Sequence, residues 1–193
     1  MGRGIVPAYT KVIVIVHGLS EYCICKNIQS NLRIKQEIIS RKKGKSSIQI
    51  TSLLDILNDK RFQTVSGFKR AFPDVECIKK KPTNFKVFII MDVDDCTEKQ
   101  KQSFINKEMF SNHWLYNYIV PIYNDPNLEK SMRQARINII KKKDYIQIFP
   151  TNHGDLDLQI AQDFSHTLKY CKRTNLEEYV QYCINICKDK LIK

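Results

Sequence analysis

Three acids crowd into the four positions Asp92-Val93-Asp94-Asp95. They follow an apolar run, 85–91, and runs of this kind bounded by polar residues read as strands buried on both faces of a parallel sheet. In open α/β sheets ligands bind just beyond the carboxyl ends of the strands, so these acids fall where chemistry is expected. Side chains alternate along a strand, which sends Asp92 and Asp94 to one side and Asp95 to the other. Two carboxylates on one side repel each other unless a cation stands between them, and Mg²⁺ or Mn²⁺ takes such hard oxygen ligands. The plainer reading is a polar turn in which an Asp caps the next helix.

Two more turns carry chemistry-bearing residues. His17-Gly18-Leu19-Ser20-Glu21 follows the β-branched run 11–16, and Asn124-Asp125-Pro126-Asn127-Leu128-Glu129 follows the aromatic stretch 114–123. An imidazole with an unperturbed pKa of about 6.5 suits His17 to general acid/base work, or to a hydrogen bond in a structural turn. Glu129 falls in the first turn of a helix, where the macrodipole alone favours an acid. Arg41, Lys42, Lys43 and Lys45 form a basic cluster, with Arg33 and Lys35 close by in sequence. They are candidates for holding phosphates, and a solvated loop is the alternative. The segment 41–47 looks like the tail of a P-loop, but that motif requires Gly at the position held by Ile39. Tyr116, Tyr118 and Tyr123 suit base stacking or core packing, and His113 and His153 read as structural histidines.

The elements that must position these residues alternate in type. The strand at 11–16 leads into a helix at 21–31 with Ser20 as its N-cap. Residues 32–40 are a second strand or a bend. Thr51 or Ser52 starts a short helix through Leu57, a second spans 62–72 and ends at Pro73, and 77–84 is a Lys-rich connection. After the acidic strand, Thr97 caps a helix at 98–110. The aromatic strand, a turn at 124–127 and a helix from Leu128 come next. A short strand at 145–149 and two amphipathic helices, 157–171 and 176–191, complete the chain, with Asn175 capping the last. Strands alternating with helices predict an α/β fold: a Rossmann-like, mostly parallel sheet flanked by helices, with C-terminal helices. One domain is expected, with its core at 11–150 and a helical extension at about 155–193.

The 193 residues carry a net charge of +12, which raises the local concentration of polyanions, nucleic acid above all. No apolar run approaches the roughly 20 residues of a membrane helix. Residues 1–7 are too short and too weakly apolar for a secretory signal, and Val6 breaks a myristoylation motif. Seven cysteines, an odd number with no C-x-x-C pair, fit reduced thiols in a cytoplasm better than disulfides or structural zinc.

Together, the H-G-x-S-E turn, D-x-D-D and the N-D-P-N-x-E turn resemble the Toprim fold, and within it the RloB-like and OLD-type nuclease branch of bacterial defence systems. That branch shows E-G-x-x-(T)-E, then D-x-D-D, then an N-P-x-x-E turn. The resemblance covers residues 11–150 and implies Mg²⁺- or Mn²⁺-dependent phosphodiester hydrolysis of DNA or RNA. It implies Asp92 and Asp94 as metal ligands, Asp95 as the additional acid, Glu21 as the second acid of the first motif, and Asn127 and Glu129 as the last turn's polar pair. His17 stands where the family has its first Glu, so either His17 or Glu21 must supply that function. Otherwise the chain is a degenerate Toprim that binds nucleic acid or a partner without cutting, docking or forming a homo-oligomer through its C-terminal helices. A third alternative is a nucleotide- or phosphate-binding regulator. OLD-type relatives carry an ATPase domain or act beside a partner, and with no P-loop here an ATPase would be a separate subunit.

Overall fold

The computed structural model describes residues 9–137 and 157–191. Five β-branched residues form β1, Val12–Val16, all buried. Helix α1, Leu19–Asn31, leads to β2, Gln36–Ile39. Two short helices, α2 (Leu53–Leu57) and α3 (Val65–Ala71), come before a two-stranded hairpin of β3 (Cys77–Ile78) and β4 (Lys81–Pro82). The acidic strand is β5, Lys86–Asp92, followed by α4, Glu98–Ile105. Then come β6, Ile119–Asn124, and α5, Leu128–Gln134. The last helices are α6, Leu158–Leu168, and α7, Leu176–Leu191.

The main sheet has the order β2-β1-β5-β6, and all its neighbours are parallel. Alternation along the strands splits the core in two. Val12, Val14, Val16, Phe88, Ile90 and Ile122 meet α1, α5, α6 and α7 on one face. Ile13, Ile15, Val87, Ile89, Met91 and Ile119 meet α2, α3 and α4 on the other. The result is the expected three-layered, Rossmann-like α/β architecture with C-terminal helices. The chain goes from β1 outward to β2, then returns past β1 to β5. The order therefore reverses between β1 and β5, and this switch point is where open α/β sheets form their crevice.

Several local expectations change. Helix α1 begins two residues early, with Gly18 at the N-cap position, because Glu21 Oε2 accepts the Gly18 N–H at 2.9 Å. Ser20 is thus inside the first turn and is no cap. The aromatic stretch is extended only from Ile119. Trp114 donates its Nε1–H to the Phe62 carbonyl at 2.7 Å and the His113 ring bonds the Leu57 carbonyl, which holds 114–118 in turns. Helix α4 stops at Ile105, and Lys107 takes a left-handed φ of 66° before a separate turn, Glu108–Phe110. Asn175 ties rather than caps: its Oδ1 accepts the Tyr123 N–H and its Nδ2 donates to the Pro121 carbonyl, fastening α7 to edge strand β6. The expected strand at 145–149 and His153 lie outside the described residues. Among those described, every cysteine is a free thiol, and no helix is long and apolar enough to cross a membrane.

Candidate functional site

The carboxyl ends of β1 and β5 open into a crevice of about 220 Å³ lined by residues 17–21, 44–45 and 47 together with Asp92 and Glu129. Three carboxylates and an imidazole face it, each brought by a different piece of local structure.

Asp92 is the last residue of β5 and sits opposite Asn124, the last residue of β6. Its Oδ1 accepts from Asn124 Nδ2 at 3.1 Å and from the Leu128 N–H at 3.0 Å, so it also caps α5 from outside that helix. Thr174 fixes the amide by donating to Asn124 Oδ1 at 2.8 Å. That leaves Asp92 Oδ2 toward the crevice, 3.9 Å from His17 Nε2. Burial pushes the Asp92 carboxyl up to about 6, against the opposing pull of His17 and its hydrogen-bond donors.

Glu21 is 2% exposed. One oxygen holds the Gly18 N–H, and the other, Oε1, is buried without a hydrogen-bond partner. Burial, then the charges of Asp92 and Glu129, raise its pKa well above the usual carboxylate range. A buried acceptor left unsatisfied is costly, so Glu21 Oε1 marks a place for a proton or a cation. His17 Nδ1 is likewise buried and unpartnered. Glu129, in the first turn of α5, accepts from Ser20 Oγ at 2.9 Å.

The other expected residues fall elsewhere. β5 ends at Asp92, so strand alternation does not extend to Asp94. Asp94 is exposed, accepts from Asn127 Nδ2 at 2.9 Å and does not line the crevice. Asn127 in turn caps α5 by accepting the Lys130 N–H. Asp95 is exposed, and partial burial raises its pKa while His17 opposes the rise. Arg33 and Lys35 come just before β2, whose first residue pairs with the first residue of β1, so they stand at the opposite end of the sheet. Lys35 pairs with Asp74 there at 2.7 Å. Arg41, Lys42, Lys43 and Lys45 follow β2 at the crevice end, and Lys45 lines the crevice. Two positioning residues escaped sequence reasoning. Asn124 had the signal of an amide ending a strand, whereas the Ser20–Glu129 bond spans 109 residues and had none.

The carboxylate oxygens of Glu21, Asp92 and Glu129 suit a hard cation. Among the described residues no three His, Cys, Asp or Glu side chains are grouped so as to hold one ion. Mg²⁺ commonly binds through only one or two carboxylates, with waters and substrate phosphates completing its shell. Glu21 Oε1 and Asp92 Oδ2 are the pair that fits this pattern.

The fold and crevice define an α/β protein with a carboxylate-lined cleft at the sheet's switch point. No family model, no curated protein and no solved structure matches the chain.

Proposed function

We propose that this crevice is the active site of a divalent-metal-dependent nuclease that hydrolyses phosphodiesters of DNA or RNA. The observation that carries the reading is the buried, unpartnered Glu21 Oε1 in a crevice shared with Asp92 at the carboxyl ends of adjacent parallel strands. Glu21 and Asp92 would hold the ion, Mg²⁺ or Mn²⁺. When bound, such an ion supplies Lewis acidity, activating water and offsetting charge that builds on the phosphate. Glu129, held by Ser20, adds negative charge beside the pair and strengthens cation binding. His17, 3.9 Å from Asp92, is placed to hold or pass a proton at the crevice wall. The resemblance to the RloB-like and OLD-type Toprim branch supports the same chemistry and a setting in defence against phage or mobile elements. On that likeness an ATPase is a candidate partner.

A second reading rests on His17 itself. It stands 3.9 Å from Asp92 where the resemblance expects an acid, as in a Toprim-like domain that binds nucleic acid or a partner but does not cut.

Melting with and without Mg²⁺ or Mn²⁺, alongside cleavage assays on single- and double-stranded DNA and RNA, decides between them. The nuclease reading expects metal to stabilise the protein, by about 2.7 kcal/mol at roughly a hundredfold excess over Kd. It also expects metal-dependent cleavage, with both effects lost in Asp92→Asn and Glu21→Gln. Neither stabilisation nor cleavage in the wild type sinks it.

A further inference from the structure

Residues 41–47 form a hook rather than a free loop. Arg41 and Ser46 close its base in an antiparallel bridge, and the Gly44 N–H donates to the Arg41 carbonyl at 2.9 Å. Two anchors fix the hook to the crevice. Gly44, at φ +83°, lies so close to α1 that a Cβ there would fall 2.7 Å from Leu19 Cα and 2.8 Å from the Gly18 carbonyl oxygen. Just past the hook, the Ile48 N–H donates to the His17 carbonyl at 2.8 Å. Both anchors bear on the turn that supplies His17 and Glu21.

The hook's cations are disposed for use. Lys42 and Lys43 are exposed and both hold left-handed φ, at 48° and 56°, a conformation that side-chain-bearing residues adopt at a cost and that persists where the surroundings enforce it. Lys45 lines the crevice beside Glu21, Asp92 and Glu129 but makes no ion pair with any of them. Lys45 is exposed, so its charge is available to an anion that enters the crevice. A phosphodiester entering to meet the carboxylate-held cation needs such a charge on its other side.

We infer that the hook is the substrate-gripping arm of the crevice: Lys45 contacts the phosphate at the reacting position, and Lys42 and Lys43 contact the adjoining phosphates of a nucleic-acid strand. Gly44 is the positioning residue, because only glycine lets the hook sit on α1. This rests on the nuclease reading for the identity of the substrate, and it assigns the strand's path across the α1 and β2 side of the switch point.

The test is fluorescence anisotropy with labelled oligothymidylate and oligouridylate in EDTA, so that binding is read without metal or cleavage. Lys45→Gln is expected to weaken binding about tenfold and to lower the slope of log affinity against log salt by about 1, with Lys45→Arg restoring both. Gly44→Ala, with its circular dichroism unchanged, is expected to reproduce the Lys45→Gln loss. Lys69→Gln, on an exposed lysine of α3, should bind as the wild type does. Wild-type affinity in Lys45→Gln overturns the inference, as does an equal loss in Lys69→Gln or no binding by the wild type. Metal-induced melting shifts read in parallel separate the two claims. A Lys45-dependent affinity with no metal shift keeps the hook and removes the nuclease. A metal shift with no Lys45 dependence does the reverse.

Discussion

Asp92 titrates differently in the folded and unfolded chain. Its carboxyl is raised from an ordinary 3.8 to about 6, so the folded state binds this proton more tightly than the unfolded chain does. The stabilisation this brings is full below 3.8 and is lost as pH rises through about 6, a swing of about 3 kcal/mol. Asp92→Asn keeps an oxygen for the Leu128 N–H and removes the titration. Denaturant melts of metal-free protein across this window are therefore expected to show a falling stability in the wild type and a flatter profile in Asp92→Asn. Parallel profiles would mean that Asp92 is not a desolvated acid. Sequence alone singles out Asp92, because a buried strand has to end in something polar. It does not reveal that Asp94 turns away, since the strand's last hydrogen-bonded residue is set by its pairing with β6. Three polar turns at strand carboxyl ends point to one edge of the sheet, and Glu129 does share the crevice with Glu21, but the Ser20 bond that holds it there leaves no sign in the sequence.

Between elements, buried polar bonds set how the helices seat on the sheet. Tyr179 of α7 donates its hydroxyl to Gln36 Oε1 of β2 at 2.9 Å, and Gln36 Nε2 donates to the Cys25 carbonyl of α1 at 2.7 Å. All three groups are buried, and the Tyr179 ring meets Phe88 edge-on at 5.2 Å. Tyr179→Phe keeps the ring and leaves the Gln36 oxygen without its donor. The expected cost is about 1–3 kcal/mol in equilibrium unfolding. A neutral result would show that water replaces the hydroxyl. The apolar faces of α6 and α7 are readable from their spacing. The choice of Asn175 as a tie to β6 rather than a cap is not, because it depends on which strand lies within reach of the helix start.

Across the molecule, the two faces of one sheet carry two separate apolar layers, and only one contains the helix that bears the crevice. Phe68 lies in the layer away from α1, with ring centroids 5.0 Å from Phe72, 5.6 Å from Phe85 and 5.3 Å from Trp114. Phe68→Ala is expected to cost about 3–5 kcal/mol of stability. At a temperature where the variant stays folded, its metal response and oligonucleotide affinity should match the wild type. Altered binding there would mean that the two layers are coupled. The α/β class was legible in the alternation of β-branched runs with helical spacing, since burial on both faces of a parallel strand demands unbroken apolar residues. The crevice's location was legible too, because β1 and β5 each end abruptly in polar residues. Its membership was decided by tertiary structure: which acids converge, which lysine meets them, and which cations lie at the far end. These depend on register, on where each strand's last hydrogen bond falls, and on Gly44 letting the hook rest against α1. Contacts between residues a hundred positions apart leave no local pattern in the chain.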